Sequence, residues 1–362
     1  MEPFQIACIQ ASAKRIQSQK KDTQIKDNIS RLCDLVDYAC SSPLATNVRI
    51  AVLPEYAINM PVRTSSVADW IDVAVELPGA YSDLFAQTAK KNGTYIAANM
   101  AEMSHDWPGR FFNCSFLIGP DGKIVFKHWK NTNNSFVIPY TTPTDIYTEF
   151  VKKYGRKAIF PVADTPYGRI GCITCGELLA PENVRCTVFN GAEIILHCTS
   201  ETVDYPNWNH LKIARAIENK VYFATANNGE FHGGKRGTAS SSGFSAIISY
   251  DGTVLNQTSG PGESTIIANI DVNALRSART QPFWPAESRV KMYSKEYTDA
   301  ASLFWPTDGW ATKPIAGTSD TQQEFRNVLE RLFENGTFVR PEGPTVVDRL
   351  LKKQNNNSAP SV

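Results

Sequence analysis

The residues best suited to covalent chemistry in this 362-residue chain stand at the ends of three apolar runs. Cys175 closes Ile170-Gly171-Cys172-Ile173-Thr174 and is followed by Gly176-Glu177 and a helix start at Pro181-Glu182. A thiol on a strand-to-helix turn lies at the carboxyl edge of a sheet, where α/β proteins bind ligands. Backbone N–H groups there can point at an oxyanion. Taken alone, Cys175 reads equally well as a buried structural thiol. Glu55 ends Arg49-Ile50-Ala51-Val52-Leu53-Pro54, and Lys130 ends Ile124-Val125-Phe126-Lys127-His128-Trp129. Each alone is ordinarily a solvated charge. A base, an ammonium and a thiol on three strand ends are together the parts of a nucleophilic site.

Other chemistries lack their parts. Cys172 and Cys175 have the C-x-x-C spacing of a redox pair, but Cys172 lies within the apolar run and not at a helix start. Residues three apart on a strand face different ways. The five histidines, His105, His128, His197, His210 and His232, show no metal-ligand spacing. No G-x-S-x-G nucleophile elbow occurs, and Gly233-Gly234-Lys235 lacks the flanking pattern of a phosphate loop. The sequence therefore calls for neither a metal nor an organic cofactor.

Composition narrows the class further. Thirty-seven Lys+Arg against 36 Asp+Glu give a net charge of +1, which leaves no electrostatic footprint for nucleic acid or an acidic membrane surface. Forty-two per cent hydrophobic and 10% aromatic residues suffice for a large core. Eight cysteines are too sparse for a disulfide scaffold. No run of 18 apolar residues spans a bilayer, and Met1–Gln10 reads as a strand rather than a leader. The expectation is a cytoplasmic protein with reduced thiols.

The elements that must position these groups follow from periodicity. Strands are expected at Phe4–Gln10, Arg49–Leu53, Thr94–Ala101, Phe111–Ile118, Lys123–Phe126, Arg169–Thr174, Ala192–His197, Val221–Asn227, Gly243–Tyr250 and Ser264–Ile270. Pro120-Asp121-Gly122 and Tyr250-Asp251-Gly252 join runs at hairpin spacing. Helices are expected at Asp22–Cys40, Tyr81–Lys91, Asp145–Tyr154, Pro181–Asn190 and Asn207–Asn219, with another at Thr321–Asn335. The order predicts one α/β domain with mixed sheets covered by helices. The two halves repeat a similar order, which suggests two related layers. Residues 1–280 form the expected domain. Residues 281–362 form an extension wrapping it or a neighbouring subunit, with a frayed end from Lys352.

At this point the chain resembles the nitrilase, or carbon–nitrogen hydrolase, superfamily over roughly residues 4–280. The resemblance is carried by Leu53-Pro54-Glu55-Tyr56, Gly122–Lys130, Gly168–Glu177, Pro181-Glu182-Asn183-Val184-Arg185, Asn190–Ile195 and Ser242–Ile248. It implies an αββα sandwich, a Glu-Lys-Cys triad, no metal, no cofactor, and homo-oligomers built by packing sandwiches together. Carried over by position, Glu55 is the general base, Lys130 the cation and Cys175 the nucleophile, with Lys127 as the competing lysine. A second glutamate is implied at Glu149, 19 residues after Lys130 and 26 before Cys175, as in the N-carbamoyl-D-amino acid hydrolase branch.

The resemblance also implies oxyanion and substrate contacts at Gly176, Trp129, Tyr205 and Trp208. Arg185 is expected to pair with Glu182 along its helix face. The implied function is cleavage of a small amide through a thioester. N-carbamoyl hydrolysis and nitrile hydrolysis are the alternatives within the resemblance, and a thiol redox or binding protein the alternative outside it.

Overall fold

The computed structural model describes residues 2–43, 45–132, 137–202, 208–234, 237–282 and 286–357. Two six-stranded sheets lie face to face. One runs Ser264–Ile270, Phe4–Gln10, Val48–Val52, Tyr95–Glu102, Phe112–Ile118, Ile124–Trp129. The other runs Val254–Gln257, Ala246–Ile248, Tyr222–Ala226, Ile194–Cys198, Gly168–Thr174, Val162–Thr165. Ile6, Cys8, Val52 and Leu117 of the first sheet meet Cys172, Leu196, Ala224 and Ile247 of the second in a dry layer. Helices Lys21–Ser41 and Ala80–Asn92 bury Ile25, Ile29, Leu32, Val36 and Phe85 on the outer face of the first sheet. Helices Pro181–Phe189 and Trp208–Asn219 cover the second. This is the expected αββα sandwich.

The two sheets repeat one pattern of pairing. In each, three successive strands of the chain pair in parallel, flanked by one antiparallel strand on one side and two on the other. The strands Phe4–Gln10 and Gly168–Thr174 are equivalent, as are Val48–Val52 and Ile194–Cys198. The equivalence matches Glu55 with Glu201, each three residues past its strand. Glu201 is also buried and ion-paired, 2.9 Å from Lys212.

Several expectations need adjusting. The run Gly243–Tyr250 is strand only over Ala246–Ile248, because Ser245 is bonded to Gln10 and Thr258 through side chains. The helix expected from Asp145 begins instead as a 3-10 turn, Pro143–Ile146, with Thr142 and Asp145 capping each other, and is α-helical over Tyr147–Tyr154. Arg185 does not pair with Glu182. It donates to the Glu218 carbonyl at 2.8 Å, while Glu182 accepts from Tyr297.

The C-terminal segment folds back on its own sandwich. Trp305 Nε1 donates to Asp145 at 3.0 Å, Arg110 donates to Trp310 O at 2.6 Å, and Gly317 bridges to Ser66. Ile315 is buried among Tyr56, Trp70, Phe111 and Tyr140. Helix Val346–Asn357 continues through the Lys352 region where a frayed end was expected, and residues 358–362 lie outside the described residues.

Gly171 sets how closely helix Pro181–Phe189 approaches the strand that leads to Cys175. A Cβ there would sit 2.3 Å from Thr187 Cγ2 and 3.3 Å from Ala192 Cβ. Gly171→Ala should therefore cost about 1–3 kcal/mol of overpacking, read as a lower thermal midpoint. Adding Thr187→Ser removes that methyl, keeps the hydroxyl bond to Asn183 O, and should restore most of the loss.

Candidate active site

Three strand ends converge at one edge of the sandwich. Glu55 is fully buried and Lys130 nearly so, with Lys130 Nζ 2.9 Å from Glu55 Oε1. Cys175 opens a 3-10 turn, Cys175–Leu179, directly after its strand. Its φ of 49° is left-handed, an uncommon conformation for a residue with a side chain and a source of local strain. The turn is held in place from two sides. His197 Nε2 donates to Cys175 O at 3.0 Å while its Nδ1 accepts from Thr225. Burial and the nearby Lys212 ammonium lower the His197 pKa to about 3, so the ring stays neutral in those roles.

Glu177, two residues on, is the buried anchor of the whole edge. Its carboxylate accepts from Thr174 N at 2.6 Å, from Asn131 N at 2.6 Å and from His128 Nε2 at 2.7 Å. One side chain thus ties the thiol's turn to the strand that ends in Lys130.

The Glu55 carboxylate is oriented by an equally dense set of donors. Oε1 accepts from Asn113 Nδ2 at 2.6 Å as well as from Lys130, and Oε2 accepts from the Ser200 hydroxyl. Asn113 is itself fixed by Asn99, which donates to Ser115, whose hydroxyl meets Thr174 across the sandwich at 2.8 Å. Asn228 Nδ2 donates to the Glu55 carbonyl at 2.7 Å. With two strong donors on Oε1, proton exchange falls to Oε2, the oxygen on the Ser200 side.

The thiol lies beside that oxygen. Cys175 Sγ is 3.9 Å from Ser200 Oγ, whose hydroxyl donates to Glu55 Oε2. Burial, then the Glu55 charge, push its pKa up to about 11 against the opposing pull of Lys130. Burial alone would favour neutral Lys130, but Cys175 and Glu55 outweigh it and raise the Lys130 pKa well above its ordinary value. The resting site is therefore a neutral thiol beside a lysine ammonium.

The remaining expected residues separate into two groups. Gly176 follows Cys175 in the turn, and Trp208 borders it, its ring edge 4.0 Å from where a Gly176 Cβ would be. Trp129 is not at this edge. Adjacent strand residues face opposite ways, so Trp129 turns into the helical layer, packs on Phe150 and Tyr154, and donates to Glu102 at 2.8 Å. Lys127 also leaves the site, pairing with Glu102 at 2.5 Å. Glu149 is likewise outside the cluster: exposed on its helix, it pairs with Lys152 at 3.4 Å. Tyr205 lies outside the described residues. Among the described residues no cluster of metal-ligating side chains occurs.

Asn113, Ser200 and Glu177 belong to the site but are not identified by sequence reasoning. Their residue types are common and their spacing carries no signal. Only Glu177, inside the Cys175 turn, has a positional cue.

The sequence matches the family model described as carbon-nitrogen hydrolase over residues 5–280. It is 26% identical over 298 residues to omega-amidase NIT2-B of Xenopus laevis and to omega-amidase NIT2 of Mus musculus, covering 82% of this chain and 99% of each relative. The fold is similar to that of Saccharomyces cerevisiae Nit3, a member of the nitrilase superfamily, at TM-score 0.63 and 19% identity, covering 80% of this chain and 97% of that one. It is also similar to the C. elegans NitFhit protein, at TM-score 0.64 and 20% identity, covering 80% and 66%. The chain belongs to the carbon–nitrogen hydrolase family.

The opposing charges around the thiol give a two-sided prediction. Glu55→Gln removes a charge that raises the Cys175 pKa, so iodoacetamide should alkylate Cys175 several-fold faster at pH 8, up to about tenfold per pKa unit. Lys130→Met removes the charge that lowers it and should slow the same reaction. Equal rates in wild type and both variants would show that neither group acts on the thiol.

Proposed function

Starting from that family membership, we propose that the protein is a cysteine-dependent amidase that converts a small amide to a carboxylic acid and ammonia or an amine. The observation that carries the reading is the Cys175 thiol beside a Glu55 carboxylate that already holds Lys130. Glu55 Oε2 takes the thiol proton as Sγ attacks the amide carbon, which avoids maintaining a free thiolate in a buried site. The oxyanion of the tetrahedral intermediate is held by the Lys130 ammonium and the Gly176 N–H. Protonated Glu55 then gives its proton to the departing nitrogen, leaving a thioester. Glu55 next deprotonates a water, which attacks the thioester carbon, and the acid leaves as the thiol is reprotonated. No metal or cofactor takes part in these steps.

The omega-amidase relatives support an amide substrate. The N-carbamoyl alternative rested on Glu149, and that side chain's exposure and pairing with Lys152 give it no support. Trp208 beside Gly176 is proposed as a wall of the substrate pocket. Self-association is proposed through the outer helical layer of the second sheet, where Leu179, Phe189 and Ile217 are exposed. All eight cysteines are free, which suits a reducing compartment such as the cytoplasm. No helix among the described residues is long and apolar enough to cross a membrane.

A panel of primary amides, N-carbamoyl compounds and nitriles, assayed for ammonia and separately for carbon dioxide, tests the reading. Ammonia from amides without carbon dioxide is expected, and Cys175→Ala should lose about 10³-fold or more of kcat. Carbon dioxide from an N-carbamoyl compound, with no turnover of simple amides, would overturn it. Cys172 sits in the dry layer between the sheets, bonded to its neighbour's carbonyl, so Cys172→Ser should keep kcat within a few-fold. Equal loss from both substitutions would favour a redox pair instead.

A further inference from the structure

A lysine ammonium carries three N–H donors, and where the third points depends on what holds the other two. In this site one donor of Lys130 is spent on Glu55 Oε1. Beside the ammonium stands Tyr140, a fully buried tyrosine from the segment that follows Lys130. Lys130 Nζ lies 5.3 Å from the Tyr140 ring centroid, and the phenol is among the groups that act on its charge. Only one polarity of contact with the ammonium is open to this phenol. Tyr140 OH donates its only proton to Thr132 O at 2.6 Å, so toward Lys130 the phenol oxygen can only accept.

We infer that Tyr140 is a positioning residue for the reaction, holding the Lys130 ammonium so that its third N–H faces the carbon–oxygen group attacked by Cys175. The inference rests on the amidase reading of Cys175. Tyr140 is placed rigidly enough to do this. Its ring meets Phe111 edge-on at 6.5 Å, Phe111 stacks on Trp70 at 5.0 Å, and Ile315 of the C-terminal segment closes the same cluster. Asp145, five residues on, is locked by Thr142 and Trp305. Burial raises the phenol pKa despite the adjacent ammonium, which keeps the hydroxyl protonated and its proton on Thr132.

Such a residue acts on the transition state rather than on substrate binding. The oxyanion forms only during attack, so misdirecting the third N–H lowers kcat while leaving ground-state affinity nearly unchanged. Tyr140→Phe keeps the ring and removes only the oxygen. It should lower kcat by about tenfold or more and move KM by less than about twofold. The loosened ammonium also acts less on the thiol, so the pH profile of Cys175 alkylation by iodoacetamide should move to higher pH.

Phe111→Leu supplies the structural control, since it loosens the packing behind Tyr140 and retains the hydroxyl. It should lower the melting midpoint more than Tyr140→Phe does and cost less kcat. An unchanged kcat and alkylation profile in Tyr140→Phe, or the reverse order of kcat loss between the two variants, would overturn the inference. A rise in KM with kcat preserved would also overturn it, by placing Tyr140 on the substrate. Should wild-type protein turn over no amide at all, the amidase reading fails, and the alkylation profile still decides whether Tyr140 positions Lys130.

Discussion

The arrangement depends on a lysine and a glutamate held 2.9 Å apart where water is excluded. Removing two such charges from water costs several kcal/mol each, and a single contact between them does not recover that cost. The site recovers it through many partners: Asn113 and Ser200 donate to the carboxylate, the Tyr140 ring lies 5.3 Å from the ammonium, and Asn228 donates to the glutamate's own carbonyl. Asn113 is held in turn by the buried Asn99. The polar chain from Glu55 through Asn113, Asn99 and Ser115 reaches Thr174, the residue before the thiol. Both sheets are therefore needed to keep one ion pair in place, and the thiol is positioned by the same bonds.

The same field explains why the thiol is kept neutral. A cysteine between a lysine and a glutamate feels both charges, and burial adds to the glutamate's side. A permanently ionised thiol in this position would be open to oxidation. The strained φ of Cys175 fits this requirement, because the left-handed turn presents the sulfur at the edge of the sheet while Glu177 and His197 restrain the backbone behind it.

Much of this was legible in the sequence because strand ends can be read from apolar runs. Glu55, Lys130 and Cys175 each terminate one, and alternation along a strand separates Lys130 from Lys127. The same alternation excludes Trp129, whose expected role followed the resemblance rather than its own position next to Lys130. Glu149 failed for a different reason: spacing along the chain measures reach, not the direction of a helix face. Asn113 and Asn99 were invisible because they sit inside strands that read as apolar, and only a view across the sheet shows that they converge. Tyr140 lies after a polar stretch with no periodicity, and its placement depends on Trp305 and Ile315, more than 160 residues away.

The repeated pairing pattern of the two sheets bears on how such a centre becomes one-sided. Glu201 occupies the position of Glu55 in the other half and is also neutralised by a buried lysine, although Lys212 comes from a helix and Lys130 from a strand end. What the other half lacks is a thiol at the strand's end, where the chain reads Gln10-Ala11. A sealed glutamate–lysine contact is thus an architectural habit of this sandwich, serving as a tie beam between strand end and helix in one half. In the other half the same device has a thiol for a neighbour, with Ser200 standing between Cys175 and Glu55. The two halves thus differ in what was placed next to a shared joint.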